Sequence, residues 1–345
     1  MLVKDKDLTA HNTFGIQVKA KWFAEYDSEE SLRDILRQVR TEHGNCSEAP
    51  LRILHIGQGS NLLFLHDYEG LVLHNTMRDL QVVEEEEDHV RVCVGAGMVW
   101  DDFVATAIAR GWFGVENLTA IPGEVGAAAV QNIGAYGAEV KDVVKEVYCI
   151  DLQSLEPRTF TCDEMQYAYR YSLMKSDAYR GRFAVTRVMF QLHKRFVPRL
   201  EYGALASQAK ALGEELTAMK LRNVIREMRD TKLPDPKVWG NAGSFFMNPV
   251  VDRSVCEALQ QQYAHMPYYD IDSCHVKIPA GWLIEQAGWK GRNLGPAGVY
   301  ERQALVLVNR GGATGADIVR LCETIQKDVQ DKFGIAIQPE VNFIV

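Results

Sequence analysis

Apolar residues recur along this chain with two periods, near 3.6 and near 2, and the change from one to the other predicts its elements. Between Ser28 and Gly44, Leu32, Ile35, Leu36 and Val39 return every three or four positions. Ser28 stands where an N-cap belongs, Glu29 and Glu30 fill the first turn, and Gly44 closes the segment, so a helix is predicted. Asp101 to Arg110 predicts a second, with Phe103, Val104, Ala107 and Ile108 on one face and Gly111 after it. Leu216 to Met228 carries Leu221, Val224, Ile225 and Met228, and a longer stripe of Ile318, Cys322, Ile325, Val329 and Phe333 ends at Gly334. A short helix capped by Asp252 is expected to turn Val255 and Leu259 inward, and Ile278 to Ile284 packs apolar residues into another helix start. Strand-like runs occupy 18–26, 51–56, 71–73, 80–83, 90–94, 144–151, 183–192, 305–308 and 338–345. Glu84 to Asp88 is an acidic run between two of them and reads as a solvated hairpin tip.

Two stretches fit neither period because they lack bulk. Leu51–Ile56 runs into Gly57-Gln58-Gly59-Ser60-Asn61-Leu62, a strand opening into a turn whose free N–H groups can meet phosphate oxygens. It is not the dinucleotide fingerprint, since Leu62 stands where the third glycine would be, and Gly95-Ala96-Gly97 fails in the same way at Trp100. From Ile121 to Gly137, Gly123, Gly126, Gly134 and Gly137 have no Cβ, while Ala127, Ala128, Ala129 and Ala135 have only a methyl. Such a run can lie along a large flat cofactor or form a tight dry seam. Gln131, Asn132 and Tyr136 add hydrogen-bonding groups that a dry seam would not want.

Further groups invite chemistry. Arg170 is crowded by Tyr167, Tyr169 and Tyr171, either stacked there or presented to an anion. Arg226, Arg229, Lys232 and Lys237 form the densest basic patch near a glycine turn, suited to phosphate or simply solvated. Gly240-Asn241-Ala242-Gly243 allows an irregular turn that exposes Ser244 ahead of Phe245 and Phe246. A hydrolase elbow would need a second glycine where Phe246 stands. Glu340 lies in an apolar strand, where a buried carboxylate needs a partner or a shifted pKa and a solvent-facing one needs neither.

Composition narrows the partners. At 345 residues with 47% hydrophobic and 24% charged residues, the chain is of ordinary globular type and long enough for two or three domains. A net charge of −8 argues against nucleic acid or an anionic membrane as partner. The seven cysteines are scattered without a Cys-x-x-Cys pair, so neither a disulfide framework nor a metal site is expected. The N-terminal residues do not read as a signal peptide and no run approaches membrane-spanning length, so a cytoplasmic location is expected.

Taken in order, Asn12–Gly15, Gly57–Leu63, Ile121-Pro122-Gly123, Gln131–Gly137, Tyr169-Arg170-x-Ser172, Tyr202-Gly203, Lys232-Leu233-Pro234, Gly240–Pro249, Ala280–Ile284 and Pro339-Glu340-Val341 resemble the UDP-N-acetylenolpyruvoylglucosamine reductase family, in its longer class with a tyrosine on a substrate-covering loop. The resemblance spans nearly the whole chain. It implies an α+β fold: an FAD-binding domain of two α/β subdomains, of the non-Rossmann PCMH type, and a separate α/β substrate-binding domain. Boundaries are expected at 1–70 and 71–195 for the subdomains, 196–214 for the loop connector and 215–345 for the substrate domain, whose last strand carries Glu340.

The resemblance further implies non-covalent FAD reduced by NADPH, then reoxidised by the enolpyruvyl ether of UDP-N-acetylglucosamine to give UDP-N-acetylmuramate for peptidoglycan. It implies FAD contacts from Gly57, Gly59, Ser60, Asn61, Leu62, Ile121, Pro122, Gly123, Gly126, Ala127, Gln131, Asn132, Ile133, Gly134, Ala135, Tyr136, Gly137 and Arg229. It places Arg170 and Glu340 at the developing enolate, Glu340 with a raised pKa, and Ser244 as proton donor to carbon. Tyr202, Lys232, Asn248 and Gln303 match substrate contacts, and a monomer is expected. Asn342 departs from the basic residue expected there, and Met98-Val99-Trp100 also differs. Two other readings are a sugar or alcohol oxidase on the same flavin domain, and a non-catalytic nucleotide-sugar binder. The first often tethers flavin through His or Cys in a turn where this chain has neither; the second is opposed by the joint presence of Arg170, Ser244 and Glu340.

Overall fold

The computed structural model describes residues 2–44, 50–203, 205–211 and 215–345. The chain forms two compact units that interleave in sequence. The first takes in the chain up to Lys6, Ala20–Gln58 and Glu69–Arg229; the second takes in Asp7–Lys19, Gly59–Tyr68 and Asp230–Val345.

The first unit holds two sheets. One has four strands in the order Leu2–Asp7, Lys19–Tyr26, Tyr68–Asn75, Ile53–Ile56, the last two parallel. Helix α1 (Glu29–Gly44) covers it, burying Leu32, Ile35, Leu36 and Val39 as the spacing requires. The Ser31 N–H donates to Ser28 Oγ at 3.2 Å, so the expected cap is formed. The other sheet is antiparallel, in the order Pro157–Thr161, Val144–Asp151, Phe183–His193, His89–Gly95, Leu80–Glu85. Val90, Val92 and Val94 alternate inward from it onto α2 (Trp100–Ala109) and α3 (Val125–Gln131). Phe103 and Phe190 pack with ring centroids 4.7 Å apart, and the buried Trp100 indole donates to the Leu118 carbonyl at 2.8 Å. The acidic run sits at the tip of the 80–95 hairpin, where Glu84 pairs with Arg91 and Glu85 with Lys194.

The structure departs from the expected boundaries. Leu71–Leu73, expected with the second region, lies in the first sheet, beside 53–55. The expected connector is not irregular throughout: it contains α4 (Leu205–Ala211), while residues 204 and 212–214 lie outside the described residues. Helix α5 (Ala218–Lys232), expected with the C-terminal region, belongs to the first unit as far as Arg229. Leu221, Val224, Ile225 and Met228 pack there with Leu205, Phe196, Leu200 and Tyr136. Periodicity finds an apolar face but not the surface it meets.

The second unit has a four-stranded sheet in the order Gly240–Asn241, Leu307–Asn309, Ala297–Val299, Asn293–Leu294. A three-stranded sheet, Val250–Asp252, His275–Lys277, Tyr269–Asp270, and a parallel pair, Asn342–Ile344 on Leu62–Phe64, complete it. Its helices are α6 (Arg253–Gln262), α7 (Ala280–Gln286) and α8 (Gly315–Phe333). The α8 stripe is buried as expected, begins with a Thr314/Asp317 capping box and ends at Gly334 with φ 68°. The reading of α6 is corrected: Asp252 makes no side-chain cap, and Cys256, not the exposed Val255, faces inward. Asp252 ends a strand paired to His275, and its carboxylate lies 3.7 Å from the His275 ring, away from the helix N–H groups.

Candidate active site

In the second unit, local chemistry builds a rigid frame around one exposed serine. Asn241 is buried, and its Oδ1 accepts the Gly243 N–H at 2.9 Å, which closes the turn. Gly243 has φ 69°, a conformation that costs any residue with a Cβ. The chain then runs straight into the core: the Phe245 N–H donates to the Leu305 carbonyl at 2.7 Å, and Phe245 and Phe246 are buried. Ser244, between these anchors, is exposed. The Glu340 N–H donates to the Phe245 carbonyl at 2.8 Å, so Glu340 is brought beside the serine segment from 95 residues downstream of Phe245 (340 − 245).

The part of the first glycine turn in this unit joins the same frame. Asn61 Nδ2 donates to the Glu340 carbonyl at 3.4 Å, and the Asn342 N–H and Nδ2 both donate to the Asn61 carbonyl at 3.1 Å. Asn342, the departure from the expected basic residue, therefore serves the turn by hydrogen bonding instead of charge. Gly59 tolerates no side chain, since a Cβ there would lie 2.1 Å from the His11 carbonyl. Its own carbonyl accepts the Thr13 N–H at 3.2 Å, which gives the Asn12–Gly15 segment its place. Asn248 Oδ1 accepts the Ala280 N–H at 2.9 Å and so starts α7, while Gln303 Oε1 accepts the Leu305 N–H at 3.2 Å. Lys232 is exposed.

In the first unit Arg170 sits at the apex of a tight turn in which Ala168 and Tyr171 exchange backbone hydrogen bonds of 3.0 and 3.1 Å. Its φ is 55°, a left-handed value uncommon for a non-glycine. Nη2 donates to the Gly134 carbonyl at 2.8 Å, the guanidinium lies 5.5 Å from the Tyr169 ring, and Lys175 Nζ donates to the Arg170 carbonyl at 2.7 Å. A Cβ on Gly134 would come within 3.0 Å of Nη1.

Part of the Ile121–Gly137 stretch takes the dry-seam use open from its composition. Gly126 belongs to a packing seam: its N–H donates to the Ala96 carbonyl at 2.9 Å, and a Cβ would fall 2.8 Å from that of Ala96. Ala128 and Ala129 are buried beside it. Asn132, fully buried with φ 43°, spends its amide internally, Nδ2 on Glu139 Oε2 and the Ala168 carbonyl, Oδ1 on the Lys141 N–H. Gln131 Oε1 accepts from Lys175 Nζ at 3.0 Å. Gly123 is buried as well, its N–H on Gln58 Oε1 and its carbonyl on the Trp100 N–H, both at 3.0 Å, and the residues nearer the surface lie to either side. Pro122 and Gly137 are exposed, Ile121 and Ala127 half-buried, and Ile133 to Tyr136 half-buried in a hairpin whose turn, Tyr136-Gly137, has φ 49° and 80°. Arg229 Nε donates to the Ala120 carbonyl at 3.2 Å. Burial raises the Tyr136 phenol's pKa, and the Arg229 guanidinium hydrogen-bonded to it opposes that rise. Tyr202 is exposed, with its ring 6.2 Å from and nearly perpendicular to that of Tyr136.

These features fit a flat, diphosphate-bearing group: low-bulk backbone in turns of positive φ, with the Arg229 guanidinium fixed beside it. His55, two residues before the first turn, is engaged elsewhere, its Nε2 2.7 Å from the Tyr26 hydroxyl. Three residues missed from sequence reasoning also border these turns. Glu124 lies over Gly57 with its Oε2 3.0 Å from where a Cβ would stand, and its Oε1 is 2.9 Å from His74 Nε2. Ala120 has φ 57° and Asp101 Oδ1 accepts its N–H at 2.7 Å. A buried Glu or a left-handed Ala leaves no periodic or compositional signal.

Among the described residues no helix is long and apolar enough to cross a membrane. A family model described as an FAD binding domain matches residues 21–154, and one described as the UDP-N-acetylenolpyruvoylglucosamine reductase C-terminal domain matches 235–344. The chain is 51% identical over 337 residues to a UDP-N-acetylenolpyruvoylglucosamine reductase of Bacteroides fragilis, covering 98% of each chain. It is 44% identical over 345 residues to that of Porphyromonas gingivalis, covering 99% of each. The crystal structure of the Thermus caldophilus enzyme of the same name superposes with a TM-score of 0.66 at 22% identity, over 100% of this chain and 98% of that one, and supports the fold. Related to such enzymes over almost its entire length, the chain belongs to the UDP-N-acetylenolpyruvoylglucosamine reductase family, and with it to the FAD-dependent oxidoreductases.

Proposed function

We propose that the chain performs this reaction with Ser244, Arg170 and Glu340 as its catalytic residues. The net change adds a hydride and a proton across the enolpyruvyl double bond of UDP-N-acetylglucosamine enolpyruvate, NADPH supplying the hydride, to give UDP-N-acetylmuramate for peptidoglycan. FAD, when bound, supplies the two-electron carrier between NADPH and the terminal enolpyruvyl carbon. Charge then develops at the adjacent carbon and its carboxylate. Arg170 meets that charge with a planar fork that matches a carboxylate. Glu340 shares in stabilising the same enolate. Ser244 delivers the proton to carbon, a transfer for which a hydroxyl is acidic enough because a carbanion is far more basic than an oxyanion.

The observation that carries this reading is the exposure of Ser244 on a backbone pinned at both sides, next to the segment bearing Glu340. FAD is held without a covalent tether by the open parts of Gly57–Leu62 and Ile121–Gly137, with Arg229 as the cation. Within the second stretch, Ile121, Pro122 and Gly134 to Gly137 provide the contact surface, while Gly123, Gly126, Gln131 and Asn132 support it. Tyr202, Lys232, Asn248 and Gln303 hold the nucleotide sugar. A monomer working in the cytoplasm, where NADPH and nucleotide sugars are found, completes the proposal.

The test is anaerobic stopped-flow of the two halves of the reaction. NADPH alone should bleach the flavin absorbance, and the enolpyruvyl nucleotide sugar should restore it far faster than oxygen does. Reoxidation by oxygen with no need of that substrate would overturn the reading.

A further inference from the structure

The N-terminus of α2 and the C-terminal half of α5 grip a single loop in the first unit, the one that leads into Ile121-Pro122-Gly123. Trp100 holds both sides of it, its indole on the Leu118 carbonyl at 2.8 Å and its N–H on the Gly123 carbonyl at 3.0 Å. Between these points stands Ala120 with φ 57°, a conformation that alanine does not adopt unless held. Both of its backbone groups are held: its N–H by Asp101 Oδ1 at 2.7 Å, its carbonyl by Arg229 Nε at 3.2 Å. Asp101 is in turn locked. Arg222, almost fully buried, chelates it through Nη1 to Oδ1 at 2.6 Å and Nη2 to Oδ2 at 2.9 Å, and Arg226 Nη2 donates to Oδ2 as well.

We propose that Asp101 is a positioning residue for the flavin: clamped by Arg222 and Arg226, it imposes the left-handed conformation of Ala120 and so presents the 121–123 turn in its binding shape. This rests on the assignment of that turn to FAD. The arrangement is expensive unless it serves something. A buried arginine and a half-buried carboxylate are desolvated to hold one backbone N–H of one strained residue. A chelated carboxylate cannot swing away, so the loop is preorganised before FAD arrives and little ordering remains to be done on binding. Arg229, on the same helix face three residues after Arg226, then holds the other side of Ala120 and reaches Tyr136 at the far end of the glycine stretch.

The experiment measures FAD release from the holoenzyme and its dissociation constant by flavin fluorescence, with melting temperature in parallel. Asp101→Asn keeps an oxygen for the Ala120 N–H but breaks the charged chelate. It should weaken FAD about tenfold, the scale set by losing a charge-assisted, loop-ordering hydrogen bond. Adding Ala120→Gly should restore most of that affinity, because glycine adopts positive φ without being held. A fold-level role of Asp101 would not be rescued at residue 120. FAD affinity unchanged in Asp101→Asn, or tightened by the unmasked arginines, would overturn the proposal, and so would weakening without rescue. If Asp101→Asn does not fold, Arg222→Lys gives the same test, since it breaks the chelate and leaves Asp101 in place. Gly123→Val separates the two ideas: if it spares FAD binding, the assignment of the turn fails, whereas if it abolishes binding and Asp101→Asn does not disturb it, only the clamp fails.

Discussion

Arg170 and Ser244 reach the same goal, a functional group held in one place, by opposite means. Arg170 is placed by its own atoms: its guanidinium is hydrogen-bonded to the Gly134 carbonyl, its face lies against Tyr169, and its backbone carries left-handed strain. Ser244 is placed by its neighbours: the bonds that fix it belong to Gly243 and Phe245, and its side chain lies exposed. A residue positioned by others can be truncated with little structural cost, and a residue that positions itself cannot. The two corners therefore differ in how cleanly mutation can separate chemistry from structure.

Ser244→Ala is the sharpest use of that difference and carries the largest expected effect. Reduction of the flavin by NADPH needs no proton from Ser244 and should remain near wild type. Oxidation by the enolpyruvyl substrate should slow by about 10²–10⁴-fold, the usual cost of a lost general acid, equivalent to about 3–5 kcal/mol of barrier. Melting temperature and FAD affinity should hold, since the anchors lie on the adjacent residues. Equal slowing of both half-reactions would make Ser244 a structural turn residue and erase the contrast.

Arg170→Lys is the matching test in the other corner. It keeps the charge and loses the fork, so the oxidative half-reaction should fall by about 10–100-fold, somewhat less than removing an oxyanion donor outright. Unlike Ser244→Ala, it should also lower thermal stability, because the Gly134 carbonyl loses a rigid donor. A variant with reduced rate and untouched stability would show that Arg170 is not positioned by its own bonds. Smaller again are the indirect versions. Gly243→Ala puts a Cβ at φ 69° with open space around it, so the cost is conformational, about 1–2 kcal/mol of stability. It should slow the Ser244-dependent step without removing the hydroxyl. Gly134→Ala crowds Nη1 from 3.0 Å and should shift the Arg170-dependent step in the same modest way.

Much of this was legible in the chain because its signals are local. The α1, α2 and α8 stripes follow from spacing alone, Gly334 and Ser28 mark helix ends, and the Gly243-Ser244 turn announces itself by the absence of bulk. What was not legible depends on distant partners. Nothing near residues 7–19 or 59–68 shows that they join the C-terminal unit, because the pairing of Leu62–Phe64 with Asn342–Ile344 is a contact across nearly the whole chain. The apolar face of α5 reads clearly, but its partners, Leu205, Phe196 and Leu200, do not. Asn132 looked like a ligand group, and it bonds instead to Glu139, Ala168 and Lys141. Ala120 carries a strain that only glycine would have advertised.

The smallest expected effect separates the corners by pH. The geometry around Ser244 is held by hydrogen bonds of the backbone and of the Asn241 side-chain amide, which do not titrate, whereas the first unit's turns border a titrating histidine. His74 lies between Glu124, 2.9 Å from Nε2, and Glu25, 3.1 Å from Nδ1. Burial pulls its pKa down, but the hydrogen bonds and charges of the two carboxylates outweigh that and leave it raised. Its folded pKa thus exceeds its unfolded one, so the stability it contributes is fully present below about pH 6.5 and is lost as pH rises through the folded pKa. His55 behaves in the opposite sense: desolvation, helped by His74, pushes it down to about 4. It stays neutral and paired with Tyr26 near neutrality, and it weakens the fold as pH falls from its unfolded value towards 4. Melting temperature followed from pH 6 to 9 for wild type and His74→Gln should therefore show a gap that narrows as pH rises, while Ser244→Ala runs parallel to wild type throughout. A constant gap would mean that His74 supports Glu124 by shape alone and that its charge holds nothing in place.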